Sequence, residues 1–319
     1  MPSSDAHNSA DRARRVREMF GAVARRYDLL NHLLSAGLDR RWRARAAAAL
    51  AEALEGGVPI DRLAVAARGD GRGRMRPRPS ARGVAPLVLD LCCGTGDLAM
   101  AVLARTPEAH LVAVDFSRPM LQRAASKLAR AHLAPRAACL EADALALPLA
   151  DGSADAVACG FGLRNLADPA AGLAEMMRVL RPGGAAAILE FHRPRGRGAW
   201  ARAFHLYFRR ILPRLGDWIS GGGHGGYAYL AASIEAFGPP EATAEAMRRA
   251  GFAHVRAVGL RGGVAAVYVG LKPGPVEPRT TCTAPAASST RPTSATRPAT
   301  AAAGRTCPRQ TCTSGWCSW

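Results

Sequence analysis

The chain has 319 residues, room for one large domain or two modest ones, with 49% hydrophobic and 6% aromatic residues and a formal net charge of +18. No run reaches the ~18 consecutive apolar residues of a membrane-spanning helix, and the opening MPSSDAHNSADRARR lacks the apolar core of a secretory signal. The charge excess is nearly all arginine, scattered rather than set in one stripe, so it fits a nucleic-acid or anionic-membrane partner and equally a GC-rich coding bias.

In chain order, residues 14–55 predict helices. Met19, Phe20, Val23 and Tyr27 recur at helical spacing, as do Trp42, Ala46 and Leu50, with Gly37 as punctuation between them. Residues 56–86, with RGDGRGRMRPRPSARG, hold glycine, proline and arginine and almost nothing to bury, so they predict a flexible surface insertion. From Leu87 strands and helices alternate. LVLDL leads to a helix at about 97–105, LVAVDF to one at about 119–131, and AACLEAD and ADAVACGF follow as strands. A helix capped by Asp168 with Pro169 at its first position carries Leu173, Met176, Met177 and Leu180 on one face and is expected to end at Gly183-Gly184. AAAILEF is the next strand. Residues 198–218 form an amphipathic stretch, and HVRAVGL and VAAVYVGL predict a closing antiparallel hairpin. After Lys272 the chain loses periodicity, and 273–319 is expected to be disordered. The expected divisions are therefore a helical cap over 1–55, the insertion over 56–86, a catalytic core over 87–272 and the tail. The fold class is α/β: a Rossmann-like, mostly parallel, doubly wound sheet with a C-terminal antiparallel hairpin.

Cys92, Cys93, Cys139 and Cys159 sit in apolar stretches and predict small buried side chains, the adjacent pair facing opposite sides of a strand. The tail cysteines Cys282, Cys307, Cys312 and Cys317 lack the close pairs of a zinc site, and no metal is implied.

The turn in LVLDLCCGTGDLAM decides the ligand. Gly94-x-Gly96-x-x-Ala99 matches a dinucleotide fingerprint, with Asp115 where a ribose-binding acid belongs. Asp90 precedes the turn where a cationic amino group would lie, and a pyrophosphate would be repelled there. Asp143 ends the following strand and can accept from an exocyclic adenine amine. Three acids around one turn suit a ligand with cationic groups and a ribose but no phosphate, which is S-adenosylmethionine.

The chain resembles the class I methyltransferases and, within them, the quinone C-methyltransferases of ubiquinone and menaquinone synthesis. The resemblance rests on MFGAVARRYDLLNHLLSAGLDRRWR, VLDLCCGTGDLA, VDFSRPML, ADALALPLADGSADAV, GFGLRNLADP, RVLRPGG and YAYLAASIEAF. DLCCGTGDL with GFGLRN looks most like the plant and cyanobacterial branch that methylates demethylphylloquinone or its quinol; the competing substrates are demethylmenaquinol and a methoxy-polyprenyl benzoquinol. The resemblance implies that Gly94, Thr95 and Gly96 shape the cofactor loop, that Asp115 holds the ribose, and that Asp143 and Ala144 hold the adenine, with Phe116 and Gly160 completing the set. Some relatives have serine where Gly160 stands, so that contact is absent here. It also implies a prenylated quinol substrate, a possible peripheral membrane contact by the stripe at 200–215, and a chloroplast setting in a plant or alga or a cytoplasmic one otherwise.

A quinol needs its ring oriented, its developing oxygen charge stabilised and a proton accepted. Arg164 stays protonated and suits the oxygen; Asn165 would orient a hydroxyl or water. Tyr27 and Asp28, on a segment resembling a lid, could close the site and relay the proton, and His224 is another candidate base. Plainer roles compete: Arg164 pairing with Asp168, Tyr27 and Trp42 as core aromatics, His224 as a loop residue. A nucleic-acid methyltransferase is disfavoured because neither an Asn/Asp-Pro-Pro-aromatic block nor a Pro-Cys nucleophile is present. A nicotinamide-dependent oxidoreductase is disfavoured by Asp90 and Asp143, and a non-catalytic partner by the intact turn.

Overall fold

The computed structural model describes residues 14, 16–18, 21, 28, 32, 35, 37–56, 85–192, 206, 226–260 and 263–274, and of the side chains over 226–231 only Tyr229. Every described residue belongs to one compact unit within residues 1–276. Most of the predicted insertion and of the stretch at 198–218, and the tail from residue 275, lie outside the described residues.

Seven strands form one sheet: β1 (Leu87–Leu91), β2 (His110–Asp115), β3 (Ala137–Glu141), β4 (Ala154–Gly160), β5 (Leu180–Phe191), β6 (Ala253–Gly259) and β7 (Ala265–Leu271). Their order is β3-β2-β1-β4-β5-β7-β6. The first five pair in parallel, and β7 pairs antiparallel with both β5 and β6. The predicted closing hairpin thus enters the sheet beside β5. Winding reverses between β1 and β4, which opens a crevice at their carboxyl ends, where ligands of such sheets bind.

Two apolar layers cover the sheet. On one face α1 (Leu38–Leu54), α2 (Asp97–Arg105) and α3 (Arg118–Arg130) pack Trp42, Leu50, Leu98, Val102 and Leu128 against Val88, Ala113 and Ala156. On the other, α4 (Pro169–Val179) and α6 (Pro240–Arg249) pack Leu173, Met176 and Met247 against Leu89, Leu91, Val157 and Tyr268. Strand alternation therefore puts Asp90 with Val88 on the α1/α2 face.

The Asp168 cap forms as expected, its Oδ1 accepting from Ala170 N and Ala171 N at 2.8 and 3.0 Å. The end of that helix differs. It stops at Val179, and Leu180 is already extended, at φ −67° and ψ 136°. Arg181 precedes Pro182, which disfavours helical backbone there, and Lys272 Nζ caps the terminus by donating to Met177 O at 2.8 Å and Leu180 O at 2.6 Å. Gly183-Gly184 instead lie within β5, at a register shift.

Two helices were not foreseen: α5 (Gly226–Phe237) and α6. The run Gly238-Pro239-Pro240 reads as a loop, yet Pro240 opens α6, where proline's missing N–H costs nothing. Cys93 and Cys159 are buried as expected, while the other two cysteines depart from expectation. Cys139 is exposed because β3 is an edge strand, and Cys92 lies beyond β1 in left-handed backbone at φ 53°, so the pair does not alternate across a strand.

Candidate cofactor and substrate site

The glycine turn is held by the strand beside it. Cys93 N–H donates to Val114 O at 3.0 Å, Gly94 N–H to Asp115 Oδ2 at 2.8 Å, and Gly96 N–H to Cys93 O at 2.9 Å. Gly96 caps α2 at φ +82°, and a Cβ there would come 3.1 Å from Ala124 Cβ and 3.3 Å from Ala124 Cα. Glycine is required both by the backbone and by the close approach of α3.

Asp115 is buried at the end of β2. Its Oδ1 accepts from Ser117 N at 2.9 Å, so each carboxylate oxygen has one backbone donor and a lone pair left for a hydroxyl. Burial pushes its carboxyl up, while the N–H groups of Ser117, Gly94 and Phe116 and the charge of Arg17 pull against it. Phe116 is half-buried beneath the Arg17 guanidinium, 5.2 Å from its ring centroid. Ala144 is buried beyond β3, and Asp143 beside it is exposed, its Oδ1 accepting from Leu145 N at 2.9 Å. Gly160 ends β4, and a Cβ there would come 2.9 Å from Leu98 Cδ2.

Asp90 is the anomaly. It is 0% exposed, and neither oxygen has a hydrogen-bond partner among the described residues. Burial drives its carboxyl up to about 8; the Ala99 N–H and the Arg43 charge offset part of this from beyond hydrogen-bonding geometry, and Asp115 and Asp97 add to the rise. A buried carboxyl with no donor is costly unless a ligand supplies one. An ammonium group does so, and the donor set at this turn fits a cationic nucleoside: S-adenosylmethionine.

Thr95 and Asp28 meet in a polar network that sequence spacing did not reveal. Thr95 Oγ1 donates to Asp28 Oδ1 at 2.5 Å, and Lys127 Nζ reaches Asp28 Oδ2 at 3.0 Å, Thr95 Oγ1 at 3.2 Å and the Asp97 carboxylate. Asp28 therefore binds the N-terminal segment to the cofactor turn. Alongside, Asp39 pairs with Arg43 and accepts from Ser35 Oγ at 2.8 Å; despite its burial, these partners hold its carboxyl below the usual range. His32, Asp39 and Asp97 each bring a ligand atom within 4.8 Å of the others, but Arg43 and Lys127 already neutralise those carboxylates.

At the carboxyl end of β4, Arg164 is buried and paired, though not with Asp168. Its Nη1 donates to Glu190 Oε1 at 2.5 Å and Phe161 O at 2.7 Å, and its Nε to Ser233 Oγ on α5 at 3.3 Å. Asn165 is half-buried; its Nδ2 donates to Phe161 O at 3.1 Å, and its Oδ1 accepts from Tyr229 OH at 3.3 Å. Glu190 and Tyr229 were missed. An acid inside the apolar run AAAILEF was a usable signal, since a buried charge demands a partner; Tyr229 gave none. Tyr27 and His224 lie outside the described residues.

The sheet order, the reversed last strands and the acid-lined turn define a Rossmann-like class I S-adenosylmethionine-dependent methyltransferase. The chain belongs to the ubiE/COQ5 methyltransferase family, which matches residues 8–272, and it is an S-adenosylmethionine-dependent C-methyltransferase. It is 45% identical over 255 residues to the demethylmenaquinone methyltransferase of Thermus thermophilus, covering 80% of this chain and 100% of that protein. Its identity to the demethylmenaquinone methyltransferase of Deinococcus radiodurans is 43% over 262 residues, 82% of this chain and 94% of the relative. The ubiquinone/menaquinone biosynthesis C-methyltransferase UbiE of Geotalea uraniireducens is 36% identical over 263 residues, 82% of this chain and 98% of the relative. None of these three is named for phylloquinone, the specificity expected from the turn and GFGLRN blocks; two are named for demethylmenaquinone and the third for ubiquinone and menaquinone biosynthesis.

Proposed function

We propose that this enzyme methylates a ring carbon of a prenylated naphthoquinol, with demethylmenaquinol as its substrate. What carries the reading is the 45% identity along the whole of a demethylmenaquinone methyltransferase. The same chemistry on demethylphylloquinol, expected from the sequence, now stands second.

When bound, the cofactor would supply an electrophilic sulfonium methyl to the ring carbon, its sulfur leaving as a neutral thioether. The chain's own residues do the rest. Asp90 would take the amino group, Asp115 the ribose hydroxyls, and Asp143 and Ala144 the adenine. Arg164, at the neighbouring strand end, would stabilise the oxygen as its proton passes to a water that Asn165 with Tyr229 orients, and the proton on the methylated ring carbon would leave to water as aromaticity returns. Asp28 is committed to Thr95 and Lys127 in this structure, which supports a role in holding the N-terminal segment over the cofactor rather than in proton relay. A prenyl tail resides in a bilayer, so we infer peripheral membrane contact; among the described residues no helix is long and apolar enough to cross one.

The test is labelled-methyl transfer offered demethylmenaquinol, demethylphylloquinol and a methoxy-polyprenyl benzoquinol side by side. Demethylmenaquinol is expected to be methylated fastest. Methylation of the benzoquinol alone would overturn the substrate assignment.

A further inference from the structure

Glu190 is a fully buried acid whose lone pairs are spent almost entirely on one neighbour. Oε1 accepts from Arg164 Nη1 at 2.5 Å and from Phe191 N at 2.8 Å, and Oε2 accepts from the Arg164 backbone N at 3.2 Å. One carboxylate thus grips Arg164 by both its main chain and its guanidinium. The guanidinium carbon lies 5.3 Å from the centroid of the Phe191 ring, which stacks on Phe161 at 4.2 Å. A side chain held at one end by a carboxylate and across its plane by a ring has little freedom to wander.

We propose that Glu190 is the positioning residue of methyl transfer: it fixes the Arg164 guanidinium against the quinol oxygen and, by cancelling its charge, sets how readily that oxygen loses its proton. This rests on the reading above that Arg164 faces the quinol. A bare buried guanidinium would draw a quinolate and hold it as a ground-state ion pair. A guanidinium already paired presents a dipole, so the neutral quinol binds and the stabilisation grows as charge develops. Among the described residues, the other titratable groups on the surrounding elements include His192, two residues along β5 and paired with Tyr268 of β7, Tyr229 and Glu235 on α5, and Arg43 of α1, whose guanidinium lies 5.6 Å from the Phe161 ring centroid.

The two roles, geometry and charge, separate in two variants of the full chain assayed with cofactor and demethylmenaquinol. Glu190→Gln keeps the shape and removes the charge; kcat is expected to fall about tenfold or more, and the acid limb of kcat against pH to move down by about one unit. Glu190→Asp keeps the charge and withdraws the carboxylate by one methylene; kcat falls while the acid limb stays. Cofactor affinity by calorimetry stays within about twofold of wild type in both, because among the described residues the hydrogen bonds of Glu190 go to Arg164 and Phe191 and not to the glycine turn. In an Arg164→Gln background, Glu190→Gln should have no further effect on kcat, as expected of a residue that acts through Arg164. An unchanged kcat and pH limb in Glu190→Gln, or equal losses with and without Arg164, would overturn the proposal. Should Glu190→Gln not fold, wild-type kcat in Glu190→Asp would overturn it alone. Absence of quinol turnover by wild type sinks the substrate reading before any variant is made.

Discussion

The carboxyl ends of β1 and β2 and the carboxyl ends of β4 and β5 handle charge in opposite ways. Around the glycine turn, Asp90 is buried with both oxygens unpartnered among the described residues, and Asp115 keeps lone pairs beyond its two backbone donors. Across the switch point, Arg164 and Glu190 satisfy each other. The first region is incomplete without a cationic guest; the second is complete within itself. A tight ligand of fixed charge permits a site that waits for it. A quinol that changes charge during reaction is better met by a neutral pair.

The largest expected effect comes from breaking the second region. Arg164→Ala leaves the buried Glu190 without its guanidinium partner, held by two backbone N–H groups alone, and should cost about 3–5 kcal/mol of stability by urea denaturation, while sparing cofactor affinity. A loss below 1 kcal/mol would mean that the pair is solvated in solution. Asp115→Ala removes the proposed ribose acceptor and the anchor of Gly94 N; cofactor binding measured by calorimetry should weaken about 100-fold or more.

Asp90 sharpens the contrast through pH. Its carboxyl titrates at about 8 in the folded chain, far above the 3.8 of the free group. Between those values the folded state holds a proton that the unfolded state has lost, so the contribution of Asp90 to stability is greatest below about pH 4 and declines as pH rises toward 8. Asp90→Asn should flatten that decline and make the ligand-free protein more stable at pH 8 than wild type. The cofactor's ammonium group favours the ionised carboxylate. Uptake at pH 7 should therefore release about one proton, read as a buffer-dependent binding enthalpy, and the release should vanish in Asp90→Asn together with about tenfold of affinity. The smallest effect is expected at Thr95→Val. Removing the hydroxyl between Asp28 and Lys127 should weaken the hold on the N-terminal segment by about 1 kcal/mol, seen as faster hydrogen exchange around residue 28 with little change in kcat.

The sheet strands were legible because each is a short apolar run bounded by a turn, and α4 because Asp168 and Pro169 signal its start. Its end was not, since Gly183-Gly184 looks like a helix stop while the Arg181-Pro182 step and a lysine 92 residues beyond Leu180 decide the matter. The acids of the cofactor turn could be named from spacing alone. Their unequal states could not: Asp143 is exposed and Asp90 fully buried, a difference set by which layers cover each strand end.

The sequence by itself determined the alternation of strands and helices, the glycine turn with its acids, and hence the class of cofactor, because these depend on local periodicity and on residue chemistry at short range. Only the tertiary structure decided which charges stay open and which close on each other. Glu190 stands 26 residues from Arg164, and Lys127 stands 99 from Asp28. Pairing at such separations is fixed by strand register and helix packing, which no local pattern encodes.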